Sequence, residues 1–130
     1  MESFEMIEIF RVKPKQIYFA WLDSKSHTQM TGSEAFADAK VKGRFSAWEG
    51  YISGVTIELV PNKKIVQQWR TTEFPDDSPD SMLEINLEEI KEGTRLILKH
   101  SDIPDGQSEA YKQGWKDYYF EPMKEYFTNS

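Results

Sequence analysis

SEAYKQGWKDYYFEPMKEYF, residues 108–127, is the stretch on which the fold of this chain turns. At 3.6 residues a turn, Tyr111, Trp115, Tyr118, Pro122 and Tyr126 fall along one stripe, with Tyr119, Met123 and Phe127 beside them. An apolar face this wide cannot be left in water, so the spacing predicts one long C-terminal helix laid against a second layer. Pro104-Asp105-Gly106 ahead of it is loop chemistry, and Ser108 or Asp105 is placed to cap its first turn. Pro122 withholds the N–H that the Tyr118 carbonyl would accept, which predicts a kink or a pause there.

Upstream of Pro104 the period changes from 3.6 to 2. Leu83, Ile85 and Leu87 share a face opposite Glu84, Asn86 and Glu88; Lys91-Glu92-Gly93 turns the chain, and Leu96, Leu98 and His100 continue the pattern. Ile65, Gln67 and Trp69 alternate with Val66, Gln68 and Arg70, after a turn at Pro61-Asn62-Lys63-Lys64. From Tyr51 to Val60, Tyr51, Val55, Ile57 and Leu59 form the apolar face, which places Ile57 in the core. Short strands joined by hairpin-sized turns make an antiparallel meander. Glycines at 43, 50 and 54 fall where a curved sheet needs bulges or close approach. Residues 3–12 read as a first strand. Pro14 then opens a short helix that buries Ile17, Ala20 and Trp21, and a second short helix or turn runs from Asp23 to Gly32. The order predicts an α+β fold over residues 1–130: a curved antiparallel sheet of six to seven strands gripping the long C-terminal helix, with two short helices after the first strand.

The chain has 130 residues, enough for one domain and too few for two. With no cysteine it has no disulfide framework, zinc-thiolate site or thiol nucleophile. A net charge of −6 argues against nucleic acid and anionic lipid as partners. No apolar run reaches the roughly 20 residues that span a bilayer, and the acidic N-terminus is unlike a signal peptide, so a cytoplasmic protein is expected. The compositional oddity is its 8 Phe, 6 Tyr and 4 Trp, which set up the question of what so many rings are for.

Three motifs carry a resemblance. Gly43-Arg44-Phe45 with Gly50-Tyr51-Ile52-Ser53-Gly54, then Glu58-Leu59-Val60-Pro61 through Ile65-Val66 and Trp69-Arg70, resemble two successive hairpins of the family named for the activator of the heat-shock-protein-90 ATPase. Gly114-Trp115, Tyr118-Tyr119-Phe120-Glu121 and Met123-Lys124 resemble the C-terminal helix of that activator's C-terminal domain. The resemblance implies the helix-grip fold, shared with START domains, polyketide cyclases and the birch pollen allergen, and a cavity between sheet and helix. It also implies a heat-shock-protein-90 chaperone as a candidate partner. The eukaryotic activator carries an additional N-terminal domain to which nothing here corresponds, so little stimulation of a chaperone by this domain alone is expected.

Trp69, His100, Trp115 and Tyr119 are the candidate cavity-lining residues, polar-tipped rings that suit a small apolar or aromatic molecule. His100, inward at a strand end, is the one candidate acid–base group; His27, in a polar segment, is expected to be exposed. Two distant histidines without cysteine make no metal constellation, and the carboxylates at Asp76-Asp77-Asp80 and Glu88-Glu89-Glu92 read as solvated turns. There is no nucleophile elbow and no phosphate loop. The expectation is a non-catalytic binding domain without cofactor or metal. The alternatives are a chaperone-ATPase stimulator and a cyclase-like enzyme using His100 with a neighbouring Tyr or Glu.

Overall fold

The structure, a computed structural model, describes residues 1–128. Strand β1 (Glu2–Phe10) is followed by helices α1 (Pro14–Leu22) and α2 (Ser24–Thr31). Six strands come next: β2 (Phe36–Ala37), β3 (Arg44–Ala47), β4 (Ile52–Val60), β5 (Lys64–Thr71), β6 (Ser81–Ile90) and β7 (Gly93–Ile103). The chain ends in α3 (Ser108–Gly114), a π-helical segment (Trp115–Phe120) and α4 (Glu121–Thr128). The seven strands form one antiparallel sheet in the order β1-β7-β6-β5-β4-β3-β2. Every neighbour except β1–β7 is also a neighbour in sequence, as a meander requires.

Ring contacts show how the sheet grips the helix. Phe120 meets Phe10 of β1 at 6.2 Å, and Trp115 meets Trp69 of β5 at 5.7 Å. Tyr118 meets Trp48, beyond β3, at 5.5 Å. One helix touching both sides of a seven-stranded sheet requires that sheet to curve around it. Helices α1 and α2 close the remaining side through Trp21 and His27, both buried against Tyr119.

The helix departs from the expected stripe for a definite reason. Its buried residues Tyr111, Trp115, Tyr119, Met123 and Phe127 recur every four positions, joined by Phe120, while Tyr118 is 59% exposed. A four-residue repeat gains about 40° per step on an ideal α-helix, so four steps would carry Phe127 nearly to the far side. The wider π turn absorbs that drift, and the Glu121 N–H reaches back five residues to the Lys116 carbonyl. Pro122, which has no N–H for the Tyr118 carbonyl, is the second residue of α4, so the predicted pause lies in the turn that precedes it.

Neither Ser108 nor Asp105 caps the helix with its side chain. The Glu2 carboxylate of β1 does so instead, accepting the Gly106 N–H at 2.9 Å and the Ser108 N–H at 3.1 Å. Asp105 is turned away to the Met1 ammonium at 2.7 Å. The Ser108 side chain and the N–H groups of Gly106 and Ser108 hold the Glu2 carboxyl down to about 2.

Ile57 does not enter the core. The β4–β5 register slips between Thr56 and Glu58, the signature of a bulge. Ahead of the slip Ile52 and Thr56 face inward, so Ile57 points outward and is 37% exposed, while the extra residue turns Leu59 back towards the core. Gly54, two residues earlier, has no room for a side chain: a Cβ there would lie 1.8 Å from the Gln68 carbonyl oxygen and 2.7 Å from the Phe45 ring.

Candidate functional site

The β3–β4 connection sets one wall of the site. Trp48, Glu49 and Gly50 all have left-handed backbone, with φ of 55°, 57° and 90°. This is an uncommon conformation for a residue as large as tryptophan, and it lays the Trp48 ring across Tyr118 and Tyr119. The opposite wall is the helix from Ala110 to Tyr119, and Ile52 and Trp69 form the floor. Between them lies a pocket of about 420 Å³. Seven of its ten lining residues are aromatic and none carries a formal charge. Tyr51 and Tyr118, both exposed, stand at its mouth, and the Tyr51 hydroxyl donates to Glu73.

The structure brings Trp69, Trp115 and Tyr119 together on this pocket. His100 is not there. It lies behind Trp115, 1% exposed, in a closed chain of hydrogen bonds. The Trp115 Nε1–H donates to His100 Nδ1 at 3.1 Å, so Nε2 carries the proton and donates to Ser81 Oγ at 2.8 Å. Ser81 in turn donates to the Trp69 carbonyl, also at 2.8 Å. Burial pushes the His100 pKa down to about 3. A neutral imidazole with both nitrogens occupied fixes the Trp115 ring and has no free lone pair to offer a substrate. His100 is thus a positioning residue for the pocket wall.

His27 is buried, against expectation. Its Nδ1–H donates to the Trp21 carbonyl at 2.9 Å, and Nε2 accepts the Tyr119 hydroxyl at 3.0 Å. Desolvation lowers its pKa. The same burial raises that of Tyr119, with Trp48 acting in the opposite sense. Trp21 Nε1–H donates to Gln67 Oε1 at 3.3 Å, and Gln67 Nε2–H donates to Thr56 Oγ1 at 3.1 Å. The polar tips of Tyr119 and Trp115 therefore point away from the pocket, leaving mainly their carbon surfaces to line it. Tyr111 is held similarly: its hydroxyl donates to Gln107 Oε1 and accepts from Thr71, each at 2.6 Å.

Trp48, Tyr51, Tyr111 and Tyr118 complete the aromatic wall and were not among the predicted lining residues. Tyr111 and Tyr118 could have been found from the helix stripe. Trp48 could not, because its position depends on three consecutive left-handed residues. Among the described residues no group of three His, Asp or Glu side chains converges as a metal site, and no helix is long and apolar enough to cross a membrane.

Comparison with known proteins places this architecture. The human activator of 90 kDa heat shock protein ATPase homolog 1 is 30% identical over 120 residues, 92% of this chain and 35% of that protein. The chain thus spans about a third of the length of the curated relatives it matches. The crystal structure of an HSP90 activator from Plasmodium falciparum superposes with a TM-score of 0.89 at 29% identity, covering 95% of this chain and 94% of that one. A Mesorhizobium loti protein superposes at 0.82 with 20% identity over 99% and 98% of the two chains, a likeness of fold. The family model described as Activator of Hsp90 ATPase homolog 1-like protein matches residues 11–128, and with the curved sheet, the gripped helix and the hairpins in place, this chain belongs to that family.

Proposed function

We propose that this chain is a non-catalytic binding domain whose macromolecular partner is a chaperone of the Hsp90 type and whose binding raises that chaperone's ATP turnover. One observation carries the reading. The solved chain of the Plasmodium falciparum HSP90 activator is matched over 94% of its length, with a TM-score of 0.89. That observation weighs against the expectation of little stimulation, which rested on the additional domain of the longer relatives. Stimulation demands that the domain bind one conformational state of the chaperone better than the others, since only differential affinity shifts such an equilibrium. Titrating the domain into a steady-state chaperone ATPase assay tests this. Saturable stimulation is the expected result, and unchanged turnover across the titration would overturn the reading. The cyclase alternative finds no support at His100, whose two nitrogens are committed to Trp115 and Ser81.

The pocket favours a second activity of the same domain: holding a small apolar or aromatic molecule. It is large, uncharged and walled by rings whose polar tips are mostly satisfied elsewhere, the usual composition of a small-molecule site. A naphthalene-sized fluorescent probe should bind the folded protein saturably. Absence of saturable binding would leave the rings as packing alone.

A further inference from the structure

The four tryptophans differ in what their indole N–H groups do. That of Trp21 is taken by Gln67 and that of Trp115 by His100. Trp48 points its polar edge at Tyr119. Trp69 is different. It is 3% exposed, yet its indole N–H has no acceptor among the described residues; the side-chain hydrogen bond at this residue is the one its backbone carbonyl accepts from Ser81. A buried indole N–H without an acceptor is a standing cost, which native structures almost always remove. No polar side-chain atom among the described residues is both sealed from solvent and unpartnered, so the Trp69 N–H must reach open space.

Trp69 borders two such spaces. One is a void of about 10 Å³ on the Trp21 and Gln67 side, at the lower edge of what holds a single water. The other is the 420 Å³ aromatic pocket, where Trp69 lies in the floor, beneath the rings of Tyr111 and Trp115. We propose that the pocket selects planar aromatic molecules bearing a hydrogen-bond acceptor, such as a ring carbonyl, and that the acceptor docks on the Trp69 indole N–H. The inference rests on the small-molecule reading of the pocket given above and narrows its ligand class. The flat walls supply stacking surface for any ring system. The single unpaired donor supplies direction, since a ligand that lacks an acceptor leaves the N–H unsatisfied while displacing the water that could have reached it.

The test uses two probes of nearly one shape: 2-acetylnaphthalene, and 2-isopropenylnaphthalene, in which a C=CH₂ group replaces the carbonyl. Binding is followed on ¹⁵N-labelled protein through the indole N–H cross-peaks, of which there are four, one per tryptophan. Single Trp→Phe variants assign them. The acetyl compound is expected to bind about tenfold more tightly, the worth of one added hydrogen bond, and to move the Trp69 indole proton downfield. The isopropenyl compound should leave that proton near its free position. Trp69→Phe should bring the two affinities together; the wild-type comparison stands by itself if that variant folds poorly. Equal affinities with no selective shift at Trp69 would overturn the inference and leave the pocket reading intact. Failure of both probes to saturate would remove the pocket reading and the inference with it.

Discussion

His100 accepts at Nδ1 and donates at Nε2, so protonating it would set a second N–H against the Trp115 donor. Burial holds its folded pKa at about 3, whereas the unfolded chain titrates near 6.5. Above pH ~6.5 both states are neutral and the group contributes no pH dependence. As pH falls below ~6.5 the unfolded chain takes up the proton while the folded one does not, so stability falls. The loss approaches about 1.4 kcal/mol per pH unit from this residue until the folded value is reached. His27, also lowered by burial, adds a term of the same sign. Urea midpoints are therefore expected to drop between pH 7.5 and 5, and to drop less steeply in His100→Gln. An equal slope in that variant would place the proton uptake elsewhere. The inward facing of His100 was legible from its alternation with Leu96 and Leu98. The burial of His27 was not, because its neighbours Lys25, Ser26, Thr28 and Gln29 are all polar. Its cover comes from Tyr119, 92 residues away in sequence.

At the scale of the element, strand β4 shows why a correct period can still assign the wrong face. The two-residue alternation was visible, but the polar Thr56 holds the inward place beside Ile52, and one bulged residue then returns Leu59 to the core, neither of which a hydrophobic count detects. Ile57→Asp is accordingly expected to shift stability by no more than about 0.5–1 kcal/mol, as a surface substitution does. Leu98→Ala, at a position fully removed from solvent, should cost about 2–5 kcal/mol. Thermal melts of the two variants side by side check both values, and an unfolded Ile57→Asp protein would restore that residue to the core. Gly54→Ala is the sharper case in the same strand, since the added methyl meets the Gln68 carbonyl and the Phe45 ring at once. The expected loss is at least about 1–3 kcal/mol, the usual range for overpacking. A neutral result would mean that β3 and β5 spread apart freely around β4. The C-terminal helix was legible as an element, and so was its disturbance near Pro122. Its phase was not, because a π turn rotates everything beyond it while leaving the composition unchanged. The cap shows the same limit: Ser108 and Asp105 were the nearest candidates in sequence, and Glu2 was nearest in space.

Across the whole molecule, the fold class was legible because each level of the sequence agrees with it: strand periodicity, turn residues, and an aromatic helix that must be covered. The pocket was legible in part, through Trp69, Trp115 and Tyr119, because helix and strand faces point to it; the Trp48 wall depends on backbone conformation alone. The net charge of −6 carries its own expectation for the partner. An acidic domain meets a basic surface fastest at low ionic strength, so the association rate with the proposed chaperone partner should fall as salt rises from 50 to 300 mM on the order of the Debye screening change. Stopped-flow mixing at several salt concentrations measures it, and a salt-independent rate would mean that charge does not steer the encounter. The sheet order has a consequence for how the domain is made. Strand β1, the first strand of this domain to be synthesised, pairs with β7, from Glu2 against Ile103 to Phe10 against Thr94. Glu2 also caps the helix that follows β7. The first strand must therefore wait for this partner until β7 has been synthesised. Contacts so far apart in sequence make folding slow, and they leave the nascent chain with an open strand edge for a chaperone to guard.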